Sequence, residues 1–165
     1  MDLRVKIQPK EIFVYSMYNF WVGMRGIATI VLTLLVLIAA VASEARFGSQ
    51  VTNFVVLGVI VLVGFQIFAI WQQAQHTAGD PKTGAEIVFH IGDDGIRARQ
   101  ANSRGEIGWG KLVKVKKVAG IYLLYLDRDK AYLMPKRAFK GSEEQIFLTT
   151  ITRNLPQEKR RGIRA

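Results

Sequence analysis

The sequence predicts an α+β membrane protein, in which a two-helix transmembrane hairpin precedes a small β-barrel or sandwich capped by a C-terminal helix. Three observations lead to this fold class. Two long apolar runs lie between residues 20 and 72, short alternating segments fill the later part of the chain, and one amphipathic segment follows them. Because hydrophobicity is concentrated in the two runs rather than spread evenly, the pattern is that of a membrane protein.

The N-terminal segment, residues 1–20, is predicted to form a strand and then an interfacial helix. Residues 3–8 alternate between apolar and polar side chains, which is typical of a strand with one buried face. Pro9 ends that strand, and the aromatic residues that follow favour a helix at the membrane surface. Continuation of the first transmembrane helix is an equally good interpretation of residues 10–18. We also hypothesise that residues 3–8 join the sheet of the later domain.

The hairpin, residues 21–72, is predicted to contain helices over about 21–43 and 54–71. Between residues 27 and 42 only two threonines interrupt the apolar run, and threonine can bond to its own helix backbone. The second run contains Gln66 as its strongly polar residue and ends at Trp71. Each run can cross about 30 Å of hydrocarbon at about 1.5 Å per residue. Two buried core helices are the alternative, but the remaining chain is too short to cover them.

Basic residues near the ends of the helices predict the orientation of the hairpin. The segment before and at the start of the first helix carries Arg4, Lys6, Lys10 and Arg25. The connecting loop, residues 43–53, carries Arg46, which Glu44 offsets. The positive-inside rule therefore predicts a multi-pass protein of the cell (inner) membrane with both termini in the cytoplasm.

The later part of the chain is predicted to be a polar linker, 73–84, a domain over 85–156, and a basic tail over 157–165. Alternating residues predict six short antiparallel strands, which lie at 87–91, 96–101, 106–109, 112–118, 121–126 and 131–134. Ser142 and Gln145 have the spacing of a capping box, which predicts a helix from Glu143 to about Asn154. This helix would close the open end of the sheet.

Four sequence elements, in order after the hairpin, resemble the YcxB-like family of bacterial membrane proteins. They lie at residues 92–96, 106–112, 121–126 and 134–139, the last reading Met-Pro-Lys-Arg-Ala-Phe. The resemblance implies an N-terminal strand and helix, two transmembrane helices and a C-terminal bacterial PH-like domain. It implies no activity, because the family is known for its fold rather than for a reaction.

The side chains that could carry chemistry do not form a catalytic or metal-binding pattern. His76 and His90 lack the spacing of metal-binding helices, and ordinary polar histidines are the better interpretation. Asp93, Asp94, Asp127 and Asp129 could supply an oxygen-ligand site if two turns met, yet aspartate is common in turns for conformational reasons. We therefore predict no enzyme, no catalytic residue, no metal and no cofactor.

Charge is the clearest functional signal of the sequence. The chain carries 23 Lys and Arg against 13 Asp and Glu, a net charge of +10, most of it after the second apolar run. Such a domain is attracted to anionic headgroups within about 8 Å. The candidate residues for contacting a partner or lipid are Lys136, Arg137, Lys140, Arg97 and Arg99. Trp109 is a candidate rim aromatic, although burial in the core is favoured.

Two functions follow as hypotheses. The first is a membrane-anchored interaction module without catalytic activity, whose domain binds a protein partner or anionic lipid headgroups at the cytoplasmic membrane face. The alternative is an accessory or regulatory subunit of a membrane transport or envelope complex, acting through Gly58 and Gly64 or Ala39 and Ala40. A homo-oligomer is a further hypothesis. Nucleic acid is not favoured, because the basic segments lack aromatic stacking platforms.

Overall fold

The computed structural model of the protein describes residues 1–81, 84–100, 103–127, 130–161 and 163. It contains two long apolar helices and two small sheets, so the mixed helix and sheet class is confirmed. In chain order the elements are β1 (Asp2–Val5), α1 (Pro9–Val22), α2 (Met24–Phe47), α3 (Ser49–Gly79), β2 (Ile87–Ile91), β3 (Gly95–Gln100), β4 (Ser103–Gly108), β5 (Lys114–Val118), β6 (Ile121–Tyr125), β7 (Ala131–Pro135), α4 (Glu143–Asn154) and β8 (Arg160–Arg161).

Helices α2 and α3 are long and apolar enough to cross a membrane. An 18-residue window has a mean hydropathy of 2.5 within Gly26–Glu44 and of 2.6 within Ser49–Gly79, and most of the large apolar side chains of these helices are exposed. The loop expected over residues 43–53 is replaced by a single residue, Gly48, at φ +80°. Residues 43–47 do not break a helix, so α2 ends at the first glycine that can adopt this conformation.

Helix α3 also extends further than the sequence predicted. It continues to Gly79, so most of the linker expected over 73–84 is helical. The sequence at 72–75 is Gln-Gln-Ala-Gln, which favours a helix, and Ala74 is buried. The end of the predicted linker, Lys82 and Thr83, lies outside the described residues. The additional turns reach the start of α1, where Gln75 and Gly79 line one depression together with Pro9.

The strands form two four-stranded sheets. The first has the order β1-β2-β3-β4 and is antiparallel throughout, whereas the second has the order β7-β6-β5-β8, with β5 and β8 parallel. In the first sheet β1 pairs with β2, placing Leu3 opposite Phe89. The hypothesis that the N-terminal strand joins the domain is therefore confirmed. Strand β4 begins at Ser103, three residues before the predicted strand at 106–109, and the residues before it, Ala101 and Asn102, lie outside the described chain.

One hydrophobic core lies between the two sheets and α4. Strand residues from both sheets meet Phe147 and Ile151 of the helix, which are fully buried. Helix α4 has the predicted bounds but not the predicted cap. Ser142 has helical backbone angles, and its side chain makes no capping bond. The Lys140 backbone N–H donates instead to the Glu143 carboxylate at 2.7 Å.

Helix α1 covers the outer face of the second sheet. Val14, Tyr15 and Tyr18 pack on apolar side chains of β6 and β7, which are Ile121, Leu123, Tyr125 and Leu133. Lys116 donates from Nζ to the Tyr18 hydroxyl at 2.7 Å. Because the helix also contacts α2 and α3, it joins the sheets to the long helices. It ends at Gly23 and is therefore separate from α2, which excludes simple continuation.

The predicted basic tail is partly built into the domain. Strand β8 lies beside β5, and Ile163 is buried in the main core. Lys159 donates from Nζ to the backbone oxygen of Leu112 at 2.9 Å. The basic residue Arg164 lies outside the described chain. The ordered domain therefore extends beyond residue 156, where the sequence predicted its end.

Candidate functional site

The outer face of the first sheet carries two rows of charged side chains that run across the strands. Strand pairing aligns Arg4, Val88, Arg99 and Arg104 in the first row. We call the three arginines of this row the arginine row. The next row along the strands consists of Asp2, His90, Arg97 and Glu106, and we call it the paired row. The inward-facing residues between them fill the core.

In the paired row each charged group has a partner. Asp2 and His90 are joined by a side-chain hydrogen bond. The His90 hydrogen bond lowers the pKa of the Asp2 carboxyl. Arg97 donates from Nε to Glu106 Oε1 at 3.0 Å. Arg97, which the sequence suggested as a partner contact, is thus already paired within the sheet.

The arginine row has no comparable neutralisation. Arg4, Arg99 and Arg104 are all exposed, and none of them forms an ion pair with the residues that the structure describes. Arg99 and Arg104 lie directly opposite each other on neighbouring strands. Like charges in that position repel. The row is therefore a concentration of positive charge that an anion would stabilise.

A shallow depression of about 790 Å³ lies over these rows. Among the described residues it is lined by strands of the first sheet alone. Half-buried Val88 forms its floor between the arginines. Arginine side chains at such a depression can bind carboxylate or phosphate groups through paired hydrogen bonds. Within the described chain no group of three or more His, Cys, Asp or Glu could hold a metal ion.

The predicted basic corner is more structural than the sequence suggested. Arg137 donates from Nε to Glu11 Oε1 at 2.7 Å and from a terminal nitrogen to Oε2 at 3.0 Å. It also donates to the backbone oxygen of Lys6 at 2.6 Å. Arg137 therefore fastens α1 to the turn after β7 and is not free for a ligand. Lys140 is exposed.

Lys136 belongs to a second structural cluster, around Glu144. Its Nζ lies 3.3 Å from Glu144 Oε2, and Tyr122 donates from its hydroxyl to Oε1 at 2.6 Å. The Tyr122 hydrogen bond, supported by Lys136 and Lys117, lowers the pKa of Glu144. Burial and the Glu144 carboxylate together raise the pKa of Tyr122. These groups connect the start of α4 to the second sheet.

Trp109 lies in the core rather than at a binding rim. It is 6% exposed and packs within the main hydrophobic cluster. Its Nε1 donates to the backbone oxygen of Gly92 at 3.1 Å, which satisfies the polar end of the ring. The structure thus agrees with the core interpretation and removes Trp109 from the candidate ligand contacts.

The remaining polar candidates have ordinary partners or do not come together. Asp93 pairs with Arg153 of α4 on the surface. His76 lies on α3, far along the chain from His90 of β2. Asp129, half of the second aspartate pair considered from the sequence, lies outside the described residues. These side chains support no further site.

Sequence reasoning found one member of the arginine row, Arg99, and missed two. Arg4 was assigned to orientation of the helices, although its alternation with Leu3 and Val5 already placed it on the outer face of a strand. Arg104 was missed because it falls between the strands predicted at 96–101 and 106–109. The signal that could have found it is the short connection at 101–102, which sets Arg99 and Arg104 opposite each other in a hairpin.

Comparison with known proteins finds a family model that matches part of the chain. The family model described as YcxB-like protein matches residues 91–151, from the end of β2 into α4. No curated protein and no solved structure matches the chain. The matched segment contains all four elements on which the resemblance was based. Residues 91–151, which form most of the two sheets and most of α4, are therefore YcxB-like, as predicted.

Proposed function

We propose that the protein is a membrane-anchored interaction module that catalyses no reaction. In this proposal α2 and α3 cross the inner membrane, both tails lie in the cytoplasm, and the PH-like sheet domain binds an anionic partner. The observation that carries the proposal is the arginine row, which gathers three cations on the outer face of the first sheet, none of them in an ion pair with a described residue.

The anchor is supported by the surface of the long helices. Large apolar side chains such as Leu32, Phe54 and Phe65 are more than half exposed. Exposed apolar area on this scale is unfavourable in water and normal in lipid. The basic residues before α2 and the scarcity of such residues around Gly48 favour cytoplasmic tails.

Binding is supported by a contrast within one sheet face. The paired row shows that this surface readily places acidic residues opposite basic ones. The adjacent row consists of Val88 and the three arginines instead, although like charges on opposed residues lower stability. A surface that retains this repulsion between arginines, next to a row whose charges are paired, is suited to bind a negatively charged ligand.

Helix α1 supports the idea that the sheet domain is held in a fixed position relative to the long helices. It packs on the second sheet, contacts α2 and α3, and is fastened through Glu11 and Arg137. The Tyr125 hydroxyl adds a hydrogen bond to Asn19 Oδ1 at 2.9 Å. The domain is thus held against the long helices rather than suspended on a flexible linker. A partner that binds the arginine row would be placed at a defined position beside the membrane.

The second candidate function, an accessory subunit that acts through its helices, rests on α3. Gly58 and Gly64 have open space where a side chain would stand, which permits close approach of another helix or a second copy. Gln66 Oε1 is buried and has no hydrogen-bond partner among the described residues. Of the alanines considered, Ala40 is buried within the hairpin, where its backbone oxygen accepts from Thr52, so it is not an outward contact.

Site-specific photo-crosslinking in intact cells tests the proposal. A photoreactive amino acid replaces Val88 at the centre of the arginine row, Ile146 on the exposed side of α4, or Phe65 on α3. Adducts are identified by mass spectrometry in the otherwise unchanged chain and in the same chain carrying R99Q and R104Q. We expect adducts at Val88 that disappear in the double variant, and none at Ile146.

The three positions separate the two candidate functions. Adducts at Phe65 without any at Val88 would transfer the function to the long helices. Adducts at Val88 that persist in the double variant would show that the arginines do not hold the partner. Either result would overturn the interaction module proposed for the sheet face.

A further inference from the structure

We infer that the arginine row binds an extended acidic segment of a protein partner, laid across the strands of the first sheet. This inference rests on the proposed function and names the class of partner. The arginine row has a defined position, spacing and surrounding surface, and each of these favours a polypeptide carboxylate ligand over the bilayer, nucleic acid or a second copy of the chain.

The layers of the domain place the row away from the long helices. Helix α1, which leads into α2, covers the outer face of the second sheet. The shared core separates that sheet from the first one, and packed sheets lie about 10 Å apart. The arginine row is on the far side of the first sheet. Whether α1 lies along the bilayer or stands upright on it, this face is not the one next to the lipid.

The spacing of the row fits a polypeptide in extended conformation. Neighbouring strands lie about 4.8 Å apart, so three steps from Arg4 to Arg104 span about 14 Å. In an extended chain every second side chain points to the same side and lies about 6.8 Å farther on. Acidic residues at positions i, i+2 and i+4 therefore span about 14 Å as well. The outer two carboxylates therefore match Arg4 and Arg104. The middle one lies about 6.8 Å along and Arg99 about 9.6 Å along, a difference of about 3 Å that a long arginine side chain can span.

The same face disfavours the other occupants. A second copy would bring an identical cationic row to this one, in a chain whose net charge is already +10. Nucleic acid binding normally adds aromatic stacking to a basic groove, and the described lining of this depression includes no Phe, Tyr or Trp. Carboxylates on a protein segment need only the paired hydrogen bonds that arginine provides.

The test measures peptide binding to the full-length protein in phosphatidylcholine nanodiscs. The probe is a fluorescent peptide that alternates Glu and Ser, and its comparison has the same composition with all glutamates contiguous. In R4Q/R99Q/R104Q we expect the Kd for the alternating peptide to rise at least about tenfold, since charge-assisted bonds are lost. The matched variant K10Q/K111Q/K130Q removes three exposed charges elsewhere and should change the Kd less than about twofold.

Several results would overturn the inference. Equal loss in the two triple variants would mean that the peptide responds to net charge alone. Failure of the unsubstituted protein to bind the alternating peptide, or tighter binding of the contiguous one, would exclude an extended acidic ligand. With the photoreactive residue at Val88 in nanodiscs containing phosphatidylglycerol, lipid adducts in place of peptide adducts would assign the row to headgroups.

The outcome for this inference is separable from that for the proposed function. If cells yield an arginine-dependent adduct at Val88 but the purified protein binds no acidic peptide, the module stands and its ligand belongs to another class. If the arginine substitutions change neither the cellular adduct nor peptide binding, both proposals are wrong.

Discussion

Glu11 is the residue through which the N-terminal helix is fixed to the domain. It is 3% exposed, and its two oxygens accept from Arg137 while Oε2 also accepts from the Gln8 backbone N–H at 2.8 Å. The first turn of a helix stabilises a negative charge in this position. A single carboxylate therefore satisfies the start of α1 and connects it to a turn more than a hundred residues later in the sequence.

Arg137→Ala should lower the free energy of unfolding by about 2 kcal/mol, because it leaves a buried carboxylate without its partner. The figure is below the range for fully buried pairs, since Arg137 is 41% exposed. The measurement is thermal unfolding in detergent. Arg153→Ala is the matched control, because the Arg153–Asp93 pair is exposed on both sides and should contribute less than about 0.5 kcal/mol.

The double variant Glu11→Leu/Arg137→Leu provides a second check on this pair. It removes both charges, so much of the stability lost in Arg137→Ala should return. A double variant no more stable than Arg137→Ala would show that the buried unpaired charge is not the cause of the loss.

Glu144 should make stability depend on pH in the acidic range. Because the Tyr122 hydrogen bond and the nearby lysines lower its pKa in the folded state, its contribution is complete above the unfolded pKa near 4.5. It is lost as the pH falls through the lower folded value. We expect the melting temperature of Glu144→Gln to fall less between pH 6 and pH 3 than that of the unsubstituted chain, measured in one detergent. Parallel curves would contradict this role.

At the scale of elements, the joint between α1 and α2 depends on a close backbone approach. Gly26 is buried, and a Cβ placed there would lie 2.1 Å from the Phe20 backbone oxygen and 2.7 Å from the Trp21 Cα. Neither of these atoms is the end of a flexible side chain. The angle between the two helices is therefore available only to a residue without a side chain.

Gly26→Ala should destabilise the protein by about 1–3 kcal/mol, because α1 must move away from α2. The matched control is Gly64→Ala, since open space surrounds that position in α3. In a helix, alanine is favoured over glycine by about 1 kcal/mol, so the control should be neutral or more stable. Thermal unfolding in detergent measures both, and similar behaviour of the two variants would refute a steric joint at Gly26.

Sequence patterns predicted some elements well and others poorly for physical reasons. The strands and α4 were found because their buried residues alternate or recur on one side, as in Ile87, Phe89 and Ile91. The ends of α2 and α3 were not predicted correctly, since polar residues such as those at 72–79 are compatible with either a helix or a linker. Strand β8 was missed because nothing but its pairing with β5 identifies these two arginines as a strand.

At the scale of the whole molecule, the sheets and the N-terminal segment form a single folding unit. Strand β1 contributes buried Leu3 and Val5 to the main core, and α1 covers the apolar outer side of β6 and β7. The sequence predicted this union only as a hypothesis. One of the three arginines of the candidate site could not be placed for the same reason, because Arg4 joins the row of Arg99 only through strand pairing across more than eighty residues.

A fragment of residues 84–165 should therefore fail to fold cooperatively. It loses two core side chains worth about 1.5–3 kcal/mol each and exposes the apolar face under α1, in a domain whose total stability is about 5–15 kcal/mol. A chain that joins residues 1–22 to 80–165 should fold. The linker must cover a distance of about the length of α1, which is about 21 Å. A flexible linker of about 16 Gly and Ser residues has an average end-to-end distance of that size.

Hydrogen exchange compares the two chains directly. Slow exchange of β2 and β6 amides is expected in the joined chain and fast exchange in the fragment. Equal protection in both would show that β1 and α1 are dispensable for the domain.

The pairing of β1 with β2 also sets an order of events during translation. Strand β1 is made before its partner, which begins at Ile87 and which the ribosome reaches about 4–16 s later at about 5–20 residues per second. During that interval α2 and α3 are synthesised. If they cross the bilayer as proposed, β2 can meet β1 only after both helices have inserted and the chain has returned to the starting side. The first sheet can therefore form only in a chain that has inserted both helices. In a chain that inserts only one helix, β1 stays unpaired and is accessible to the cell's proteases.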